Sequence, residues 1–547
     1  MRHLGAARTA ALLFVMAFAA ACGGSGGGTN SAASSTQPPP GAAATPAQAT
    51  DVTTYKNDVS RSGQNLTESV LNLTNVNSTS FGLLHFLPAD GKVDAQPLYL
   101  SGLSMQGATH NVVYVATEND SVYAFDADSG AKLWQVSLLG SGENPSDAVG
   151  GCGQITPQIG VTSTPVIDRS AGAHGTLFVV AMSRSGSSPY YQRLHALDVA
   201  SGGELLNGPV TISASYPSTG GTMNFDPGQY AERAALLLTQ GTLILSFTSH
   251  CDVPPYSGWV MAYNEGTLSQ TAVFNAAPNS GAAGPAIWMA GGGPAADSAG
   301  NVYLLTANGG FETTLDANGF PNRGDYGNSF LKLARGTLVV ADYFAMYNEV
   351  AESSADLDLG SGGILLLPDL IDATGATRHL AVGAGKDGNL YVVDRDAMGK
   401  FSPAANNIWQ ELAGALPGGI WSTPAYYNQN LYYGPAGGAL MAFTISAAKL
   451  AAATATATRF PYPGAAPAVS ANGGSSGIVW AHENSSPAVL HAYDASDLTH
   501  ELYNSSQAAN GRDQFGAGNK FITPVIADGK VFVGTQNGVA IFGLLAH

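Results

Sequence analysis

A short string that recurs along the chain is the feature that most limits its fold. In its fullest form it is VYAFDADSGAKLW, residues 122–134, in which Ala124, Asp126, Gly130 and Trp134 stand at fixed spacings. Echoes of its Ala-x-Asp core lie at 196–198, 262–264, 392–394, 442–444, 492–494 and 540–542, with FLKLARGTLVV at 330–340 filling the one double-length gap. Eight copies, most of them roughly 50 to 70 residues apart, predict a ring of repeated β-units rather than a helical solenoid.

Each copy contains four strand-like segments. In the first copy they are PLYLSGL, NVVYVATE, SVYAFDA and AKLWQVSL, separated by Asn, Asp, Ser and Gly turn residues. Four-stranded units repeated around an axis are the blades of a β-propeller. Only 11% of the residues are charged and 68 are glycines, which suits short strands joined by tight turns. We therefore predict an all-β, eight-bladed propeller of four-stranded antiparallel blades over residues 81–547.

The last copy is one strand short. FITPVIADG, KVFVGTQNG and VAIFGLL supply three strands before His547. A fourth is available in FGLLHFLP, residues 81–88, ahead of the first blade. Pairing this N-terminal strand with the last blade would close the ring and remove two exposed strand edges, so we predict that it does.

The repeat resembles that of a known family. Ala-x-Asp-x-x-x-Gly-x-x-x-Trp, followed by Thr-Pro-led strands such as STPVID at 163–168, resembles the repeat of the pyrroloquinoline quinone (PQQ) propellers. That family contains eight-bladed quinoprotein alcohol dehydrogenases and non-catalytic relatives, among them a lipoprotein of the outer-membrane assembly machinery. CGQITP and SHCDVPPYSGW also resemble an uncharacterised branch of exported bacterial lipoproteins. The resemblance implies that Trp134 wedges between two blades while Asp126 and Gly130 shape a turn.

The N-terminus has the pattern of an export signal. MRHLGAARTAALLFVMAFAAAC places two arginines before an apolar run, residues 10–21, that is too short to span a bilayer but suits a secretory signal. Small residues followed by Cys22 resemble a lipoprotein signal, although Ala19 replaces the usual leucine. We predict a signal peptide over residues 1–21 and lipidation of Cys22, with ordinary cleavage before an unmodified Cys22 as the alternative.

Composition then divides the rest of the chain. Residues 22–50 are rich in Gly, Ser and Pro and predict a tether, residues 51–80 form an N-terminal lead-in, and residues 81–547 form the propeller. This organisation predicts an exported protein of the bacterial periplasm or outer membrane, held by its lipid.

The formal net charge of −17 limits the partners. No block of Lys and Arg is long enough to follow a phosphate backbone, so nucleic acid is excluded as a partner. The same acidity disfavours docking on anionic lipid, which leaves the lipid anchor as the only membrane contact. An envelope protein or a small ligand remains as the expected partner.

Two further cysteines are expected to pair. Cys152 and Cys251 are the two that remain once Cys22 is acylated, and an exported chain meets an oxidising compartment. We predict a Cys152–Cys251 disulfide. The alternative is a nucleophilic Cys251 beside His250, which is weaker because neighbours on a strand point to opposite faces.

The family resemblance raises the question of PQQ. Its dehydrogenases carry an adjacent cysteine pair over the cofactor and a Glu, Asn and Asp set on calcium, and this chain has no Cys-Cys. Trp288 in PAIWMAGGGP and Trp421 in GGIWSTP lie at comparable places on the expected channel lining, where a ring face could stack on a cofactor. Aromatic packing around the channel is the structural alternative. No residue is assigned a catalytic role.

A candidate metal site lies in DANGFPNRGD, residues 316–325. Asp316, Asn318 and Asp325 offer the oxygen ligands that calcium prefers. The segment lacks the terminal acidic residue of an EF-hand, and Asp-Ala-Asn-Gly is also an ordinary turn sequence. Both interpretations stay open.

The sequence therefore favours a binding or scaffolding module of the bacterial cell envelope over an enzyme. One alternative is a PQQ-dependent oxidoreductase acting on alcohols or sugars, with PQQ and calcium as its cofactors. Another is a carbohydrate-binding surface protein, suggested by Tyr190, Tyr191 and Tyr256 as expected exposed aromatics.

Overall fold

A computed structural model describes residues 51–147, 151–281 and 283–546. The predicted signal peptide, Cys22 and the tether lie outside the described residues. The described strands form eight blades around a central channel, so the predicted eight-bladed all-β propeller is confirmed. Within this part of the chain no helix has the length and apolarity needed to cross a bilayer.

Each blade runs from an inner strand at the channel to an outermost strand at the rim. Blades one to four contain Leu98–Met105, Ala108–Ala116, Ser121–Asp126 and Lys132–Ser137; Val166–Asp168, Thr176–Arg184, Tyr190–Asp198 and Val210–Thr211; Leu237–Thr239, Thr242–Ser249, Trp259–Asn264 and Gln270–Asn275; and Ala295–Ala296, Val302–Leu305, Ser329–Leu333 and Val340–Ala345. Blades five to seven contain Leu365–Leu366, Leu380–Ala384, Leu390–Asp394 and Gln410–Leu412; Ala425–Tyr427, Asn430–Tyr433, Ala439–Ser446 and Lys449–Arg459; and Ala468–Asn472, Ser475–Glu483, Val489–Asp494 and Asp497–Asn504.

Smaller elements lie outside this pattern. Short strands at Asn144–Pro145, Tyr230–Ala231 and Gln64–Asn65 extend blades two, three and seven, and hairpins pair Ser215–Ser218 with Gly221–Asn224 and Leu370–Ile371 with Thr377–Arg378. One short α-helix spans Glu349–Ser354, and 3₁₀ turns span Leu359–Ser361 and Ala509–Gly511.

The last blade closes the ring as predicted. Its first three strands are Val525–Ala527, Lys530–Gly534 and Gly538–Leu544, and the fourth is the N-terminal strand Phe81–Pro88. Phe81 pairs with Leu544 and Pro88 with Gly538 in an antiparallel register. The two ends of the propeller therefore meet in one sheet.

The recurring aspartate shapes a turn, as the resemblance implied. Asp126 accepts hydrogen bonds at Oδ1 from the backbone of Asp128 and from the backbone and hydroxyl of Ser129, and Asp198 repeats this with Ala200 and Ser201. Burial alone would raise the pKa of Asp126, but hydrogen bonds from His110, Ser129 and Asp128 outweigh it and lower the pKa to about 2.

Trp134 is the predicted wedge between blades one and two. Its side chain is buried, and its indole Nε1 donates to the Val199 carbonyl oxygen of blade two at 3.1 Å. Gly202 packs so closely that a Cβ there would lie 2.8 Å from the ring. Trp409, which the repeat did not single out, makes the matching bond from blade five to Ala448 of blade six at 2.6 Å.

The lead-in segment closes the channel, which the sequence did not predict. Residues 52–65, here called the plug segment, lie against the inner strands and form hydrogen bonds with every blade. The contacted residues are Tyr99, Ile167, Ala296, Leu366, Tyr426, Val469 and Ile526, each the second residue of its inner strand, together with Leu236 just before the third one. The plug segment thus satisfies backbone groups that a bare channel edge would leave open.

Two fully buried cations lie in the plug segment. Arg61 donates to the carbonyl oxygens of Pro294, Tyr55 and Leu236 and to the Thr54 hydroxyl, and burial lowers its pKa to about 10. Lys56 donates through Nζ to the Pro467 carbonyl oxygen, and burial lowers its pKa well below the usual value. Carbonyl oxygens from several blades therefore hold the plug segment in one position.

Replacing Trp134 tests the wedge. Trp134→Ala should lower the free energy of unfolding by about 3–5 kcal/mol, because it leaves a cavity between two blades and removes one of the two hydrogen bonds to the Val199 carbonyl, the other coming from Tyr114. Trp134→Phe, which keeps an aromatic ring in the gap, should cost less. Chemical denaturation measures both, and a loss below about 1 kcal/mol in Trp134→Ala would contradict a wedging role.

Candidate binding site

The segments that lead into the inner strands surround a cavity on the channel axis. In every blade but the seventh, the residue four positions before the inner strand lines this axial cavity. These residues are Asp94, Thr162, Arg233, Gly291, Ser361, Trp421 and Phe521. The plug segment contacts the inner strands further along, so it forms the floor of the cavity, to which Tyr55 contributes.

The axial cavity has two chambers that share Arg233, Lys520 and Phe521 as walls. The lower chamber, of about 30 Å³, reaches Tyr55, whose hydroxyl donates to the Gly291 carbonyl oxygen. The upper chamber, of about 100 Å³, is lined by Trp288, Trp421 and Tyr462 as well as by polar groups. Tyr462 is half exposed, so the upper chamber opens at the surface.

Arg233 is held by aromatic rings rather than by acceptors. Its guanidinium carbon lies 4.9 Å from the centre of the Phe521 ring and 5.8 Å from that of Trp288. Among the described residues no hydrogen bond or ion pair satisfies this guanidinium. Burial lowers the pKa of Arg233, and the charges of Asp94 and Glu118 partly oppose that change. The side chain therefore offers free donors to a ligand.

Lys520 adds a second cation to the shared wall. Its Nζ donates to the Gln154 carbonyl oxygen at 3.3 Å and forms no ion pair with a described carboxylate. Burial, followed by the charges of Arg233 and Lys92, lowers its pKa. The acids that line the cavity have partners of their own: Asp358 pairs with Lys386 at 2.6 Å, Asp252 accepts from Ser249, and Asp94 accepts from Asn519.

The wall between the chambers has a strained backbone. Phe521 has φ +66°, a left-handed conformation that bulky residues avoid. Gly291 makes room for it, because a Cβ at Gly291 would lie 2.6 Å from that of Phe521. The position of the Phe521 ring over Arg233 therefore depends on glycine at 291.

The structure brings Trp288 and Trp421 together in the upper chamber. Trp421 contacts Tyr462 edge-on, with ring centres 5.2 Å apart, while Trp288 flanks Arg233 and also packs into the core of blades two and three. Neither tryptophan lies on an inner strand, contrary to the sequence expectation. Trp421 lies four residues before its strand and Trp288 seven, so their places are not equivalent.

The predicted disulfide between Cys152 and Cys251 is confirmed, with Cα atoms 5.6 Å apart. It joins the loop after blade one to the loop inside blade three. Gln154 and Asp252, both next to this bridge in sequence, line the upper chamber. Because both sulfurs are bonded, the structure provides no free Cys251 thiol to act as a nucleophile.

The candidate calcium ligands form separate local contacts. Asp316 accepts backbone hydrogen bonds from Asn318 and Phe320, the Asn318 carbonyl accepts from Lys400, and Asp325 accepts from the Asn279 backbone. Asp316 thus forms the turn that was the structural alternative, and calcium binding stays a prediction. The described residues hold no cluster of three or more His, Cys, Asp or Glu side chains suited to a metal.

The expected exposed aromatics are not one surface. Tyr256 is buried, so that expectation is wrong, since its ring packs with the core of blades two and three. Tyr190 donates to Asp147, and Arg193 covers the ring of Tyr191 at 4.3 Å. A separate groove of about 650 Å³ lies beside Tyr256 and Tyr230.

Sequence reasoning missed Arg233, Lys520, Phe521 and Asp94. A signal was available, because the Thr-Pro motifs mark the start of several inner strands. The residue two positions before the Thr is Thr162, Trp421 or Phe521, and each lines the cavity. No Thr-Pro motif follows Arg233, so it could be found only if the first residue of the inner strand of blade three were already known.

Comparisons with known proteins support the fold. No family model and no curated protein matches the chain. Among solved structures, it is similar to quinohemoprotein alcohol dehydrogenase from Comamonas testosteroni, with 14% identity, a TM-score of 0.59 and coverage of 91% of this chain and 81% of that one. A europium-containing methanol dehydrogenase is 14% identical, with a TM-score of 0.55 and coverage of 90% of this chain and 98% of that one. BamB from Moraxella catarrhalis is 12% identical, with a TM-score of 0.48 and coverage of 85% of this chain and 100% of that one. The quinoprotein-type propeller fold is thus shown, and the likeness extends to the fold alone.

The residues of the axial cavity do not fit PQQ and its calcium ion. A cavity of about 150 Å³ takes a single benzene ring, and the upper chamber is smaller, at about 100 Å³. Its acids, Asp252 and Asp358, are already engaged by Ser249 and Lys386. A tricyclic cofactor would need the walls to move apart, and the ion would need ligands released from those contacts.

Gly291→Ala tests the strained wall. Gly102 is the matched control, because its φ of +58° is almost the same as the +59° of Gly291. No atom lies within 4 Å of the point where a Cβ of residue 102 would stand. Gly102→Ala should cost about 1–2 kcal/mol, because alanine disfavours the left-handed conformation. Gly291→Ala should cost more, because its methyl group collides with Phe521, and equal losses in thermal or chemical unfolding would contradict the contact.

Proposed function

We propose that this protein is an exported, lipid-anchored propeller that works as a binding module in the bacterial cell envelope, with the axial cavity as its ligand site. The observation that carries the proposal is Arg233, a guanidinium packed between Phe521 and Trp288 without an acceptor among the described residues. Arg233 is only partly buried, so its unpaired guanidinium donors are open to whatever fills the cavity. An anionic ligand would form charge-assisted hydrogen bonds with them, which are stronger than those that neutral groups make.

The chemistry of the walls selects the ligand class. A carboxylate matches the planar fork of Arg233, and Lys520 lies on the same wall. Trp288 and Trp421 offer ring faces to a flat group beside that carboxylate. The upper chamber, at about 100 Å³, is too small for a whole benzene ring, so it limits the buried part of the ligand to a carboxylate and a few heavy atoms. Small organic monocarboxylates are therefore the expected ligands: acetate would fit inside, and benzoate would bury its carboxylate and leave its ring at the open mouth beside Trp421.

Two observations support export and anchoring. Residues 1–22 have the composition of a lipoprotein signal that ends in Cys22. The Cys152–Cys251 disulfide suits an oxidising compartment such as the periplasm. A binding site on a tethered propeller would serve to capture a small ligand, or to present it to a partner, in the envelope.

Arg233→Gln tests the ligand site. Wild-type protein should bind benzoate with measurable heat in titration calorimetry, and Arg233→Gln should lose at least about tenfold in affinity because the charged donors are gone. Arg335→Gln, at an exposed arginine of blade four, should bind as the wild type does. Benzamide, the neutral analogue of benzoate, should bind weakly to all three.

Two outcomes would contradict the proposal. Equal benzoate affinity in wild type and Arg233→Gln would remove the axial cavity as the site. Saturable binding of PQQ with calcium, followed by dye-linked turnover of an alcohol or a sugar, would establish the oxidoreductase instead.

Replacing Cys22 tests the anchor. Wild-type protein expressed with its N-terminus in a bacterial host should enter the detergent phase of a Triton phase separation, because acyl chains contribute about 0.8 kcal/mol per buried CH₂ group. Cys22→Ser should stay in the aqueous phase, whereas Cys152→Ser/Cys251→Ser, which keeps Cys22, should still enter the detergent. Wild-type protein found in the aqueous phase would show that Cys22 is not lipidated.

A further inference from the structure

Two carboxyl groups meet beside the lower chamber. Glu118 is fully buried, and its Oε2 accepts from the Gly160 backbone at 2.7 Å and from the Thr162 hydroxyl at 3.0 Å. Asp94 lines the chamber, and its Oδ1 accepts from Asn519 Nδ2 at 2.8 Å. The other oxygens, Glu118 Oε1 and Asp94 Oδ2, are buried and have no donor among the described residues.

A single proton on the two carboxyl groups would remove the repulsion between them. Two ionised carboxylates in buried contact repel each other, whereas a single shared proton gives both orphaned oxygens a partner. Burial, followed by the charge and hydrogen bond of Asp94, raises the pKa of Glu118 well above its usual value. The raised pKa favours the protonated form of Glu118, and a proton between Glu118 Oε1 and Asp94 Oδ2 would give each of the two orphaned oxygens a partner.

The protonation state of Glu118 affects Arg233 through Asp94. Asp94 and Arg233 line the same chamber, and after burial the charge of Asp94 is the strongest influence on the Arg233 guanidinium. No ion pair joins them among the described residues: Asn519 donates to one oxygen of Asp94, and Glu118 interacts with the carboxyl group as well.

We propose that Glu118 is a proton-dependent positioning residue for the axial cavity. While protonated, it holds Asp94 away from Arg233 and leaves the guanidinium free for an anionic ligand. When Glu118 gives up its proton to solvent, the two carboxylates repel, and Asp94 competes with the ligand for Arg233. This inference rests on the proposed function, because it assumes that an anion binds at Arg233.

Other titratable groups face the pair. Lys520 shares the chamber with Asp94, and Lys92 accepts the Glu118 backbone N–H at its carbonyl oxygen. Asp120, two residues from Glu118, is buried, and its pKa is raised by burial and then by Glu143. Loss of the Lys520 proton at alkaline pH would also weaken anion binding, so the test must separate Lys520 from Glu118.

The test is benzoate affinity across pH, from about pH 5.5 to about pH 9.5. The sign follows from the raised pKa of Glu118: wild-type affinity is full below that pKa and falls as the pH rises through it, by about tenfold. Glu118→Gln should keep its affinity at the alkaline end, because the amide donates to Asp94 at every pH. Asp94→Asn should do the same by removing the competing carboxylate.

The Lys520→Met variant separates the effect of Lys520 from that of Glu118. Its benzoate affinity should be lower at every pH, but the affinity should still fall toward alkaline pH, since Glu118 is intact. If Lys520→Met abolishes the fall, or if Glu118→Gln follows the wild-type profile, the inference is wrong while benzoate binding at acid pH still supports the proposed function.

A measurement without ligand completes the test. The infrared spectrum of wild-type protein at pH 7 should contain C=O stretches of buried protonated carboxyl groups, to which Asp120, Glu232 and Glu349 also contribute because burial raises their pKa values. The difference spectrum between wild type and Glu118→Gln should show the loss of one such component, and identical spectra in this region would overturn the inference whatever the binding data show. Loss of that component without benzoate binding at any pH would overturn the proposed function, and the inference with it.

Discussion

The hydrogen bonds between the plug segment and the eight inner strands are the constraint on which the rest of the molecule depends. An inner strand in a propeller has one neighbour in its blade and a free edge toward the channel. Residues 52–65 meet these edges at the second residue of nearly every inner strand, and Arg61 ties blades three and four through side-chain bonds. One continuous segment thus links all eight blades at the axis, in addition to the closure of the last blade by Phe81–Pro88.

This closure determines where a ligand can bind. With the plug segment against the second residues of the inner strands, the axial cavity lies just before the first residues of those strands, above Tyr55. The side chains that enter this space come from one position in each blade, four residues before the inner strand. A position that is repeated by the fold but filled by different residues in each blade gives an asymmetric cavity inside a symmetric ring, and Arg233 is the residue there that lacks a partner among the described residues.

Much of the fold could be predicted from the sequence because it depends on local patterns. Apolar runs and turn residues repeat in each blade, so the eight copies and the closing strand at 81–88 were accessible, while the wedge at Trp134 followed from the family resemblance. The Cys152–Cys251 bridge followed from the number of cysteines and the expected compartment. The plug segment was not accessible, because its partners are backbone groups in every blade, and backbone hydrogen bonds over such distances leave no residue pattern.

The site was predictable only in part, for a related reason. Trp288 and Trp421 stand out by residue type, and the structure places both in the upper chamber. Arg233 does not stand out, since its significance comes from rings contributed by Trp288 and Phe521, far from it in sequence. Burial and the neighbouring Asp94 raise the pKa of Glu118, and the sequence displays neither the burial nor the contact.

We expect the axial cavity above the plug segment to bind a small carboxylate through Arg233. A crystal of the protein soaked in 4-iodobenzoate measures this most directly, because the iodine marks the ligand by its anomalous signal. One strong anomalous peak is expected at the mouth of the upper chamber near Trp421, with carboxylate density within hydrogen-bonding distance of the Arg233 guanidinium. Anomalous peaks confined to other surfaces, with the axial cavity free of ligand density, would contradict it.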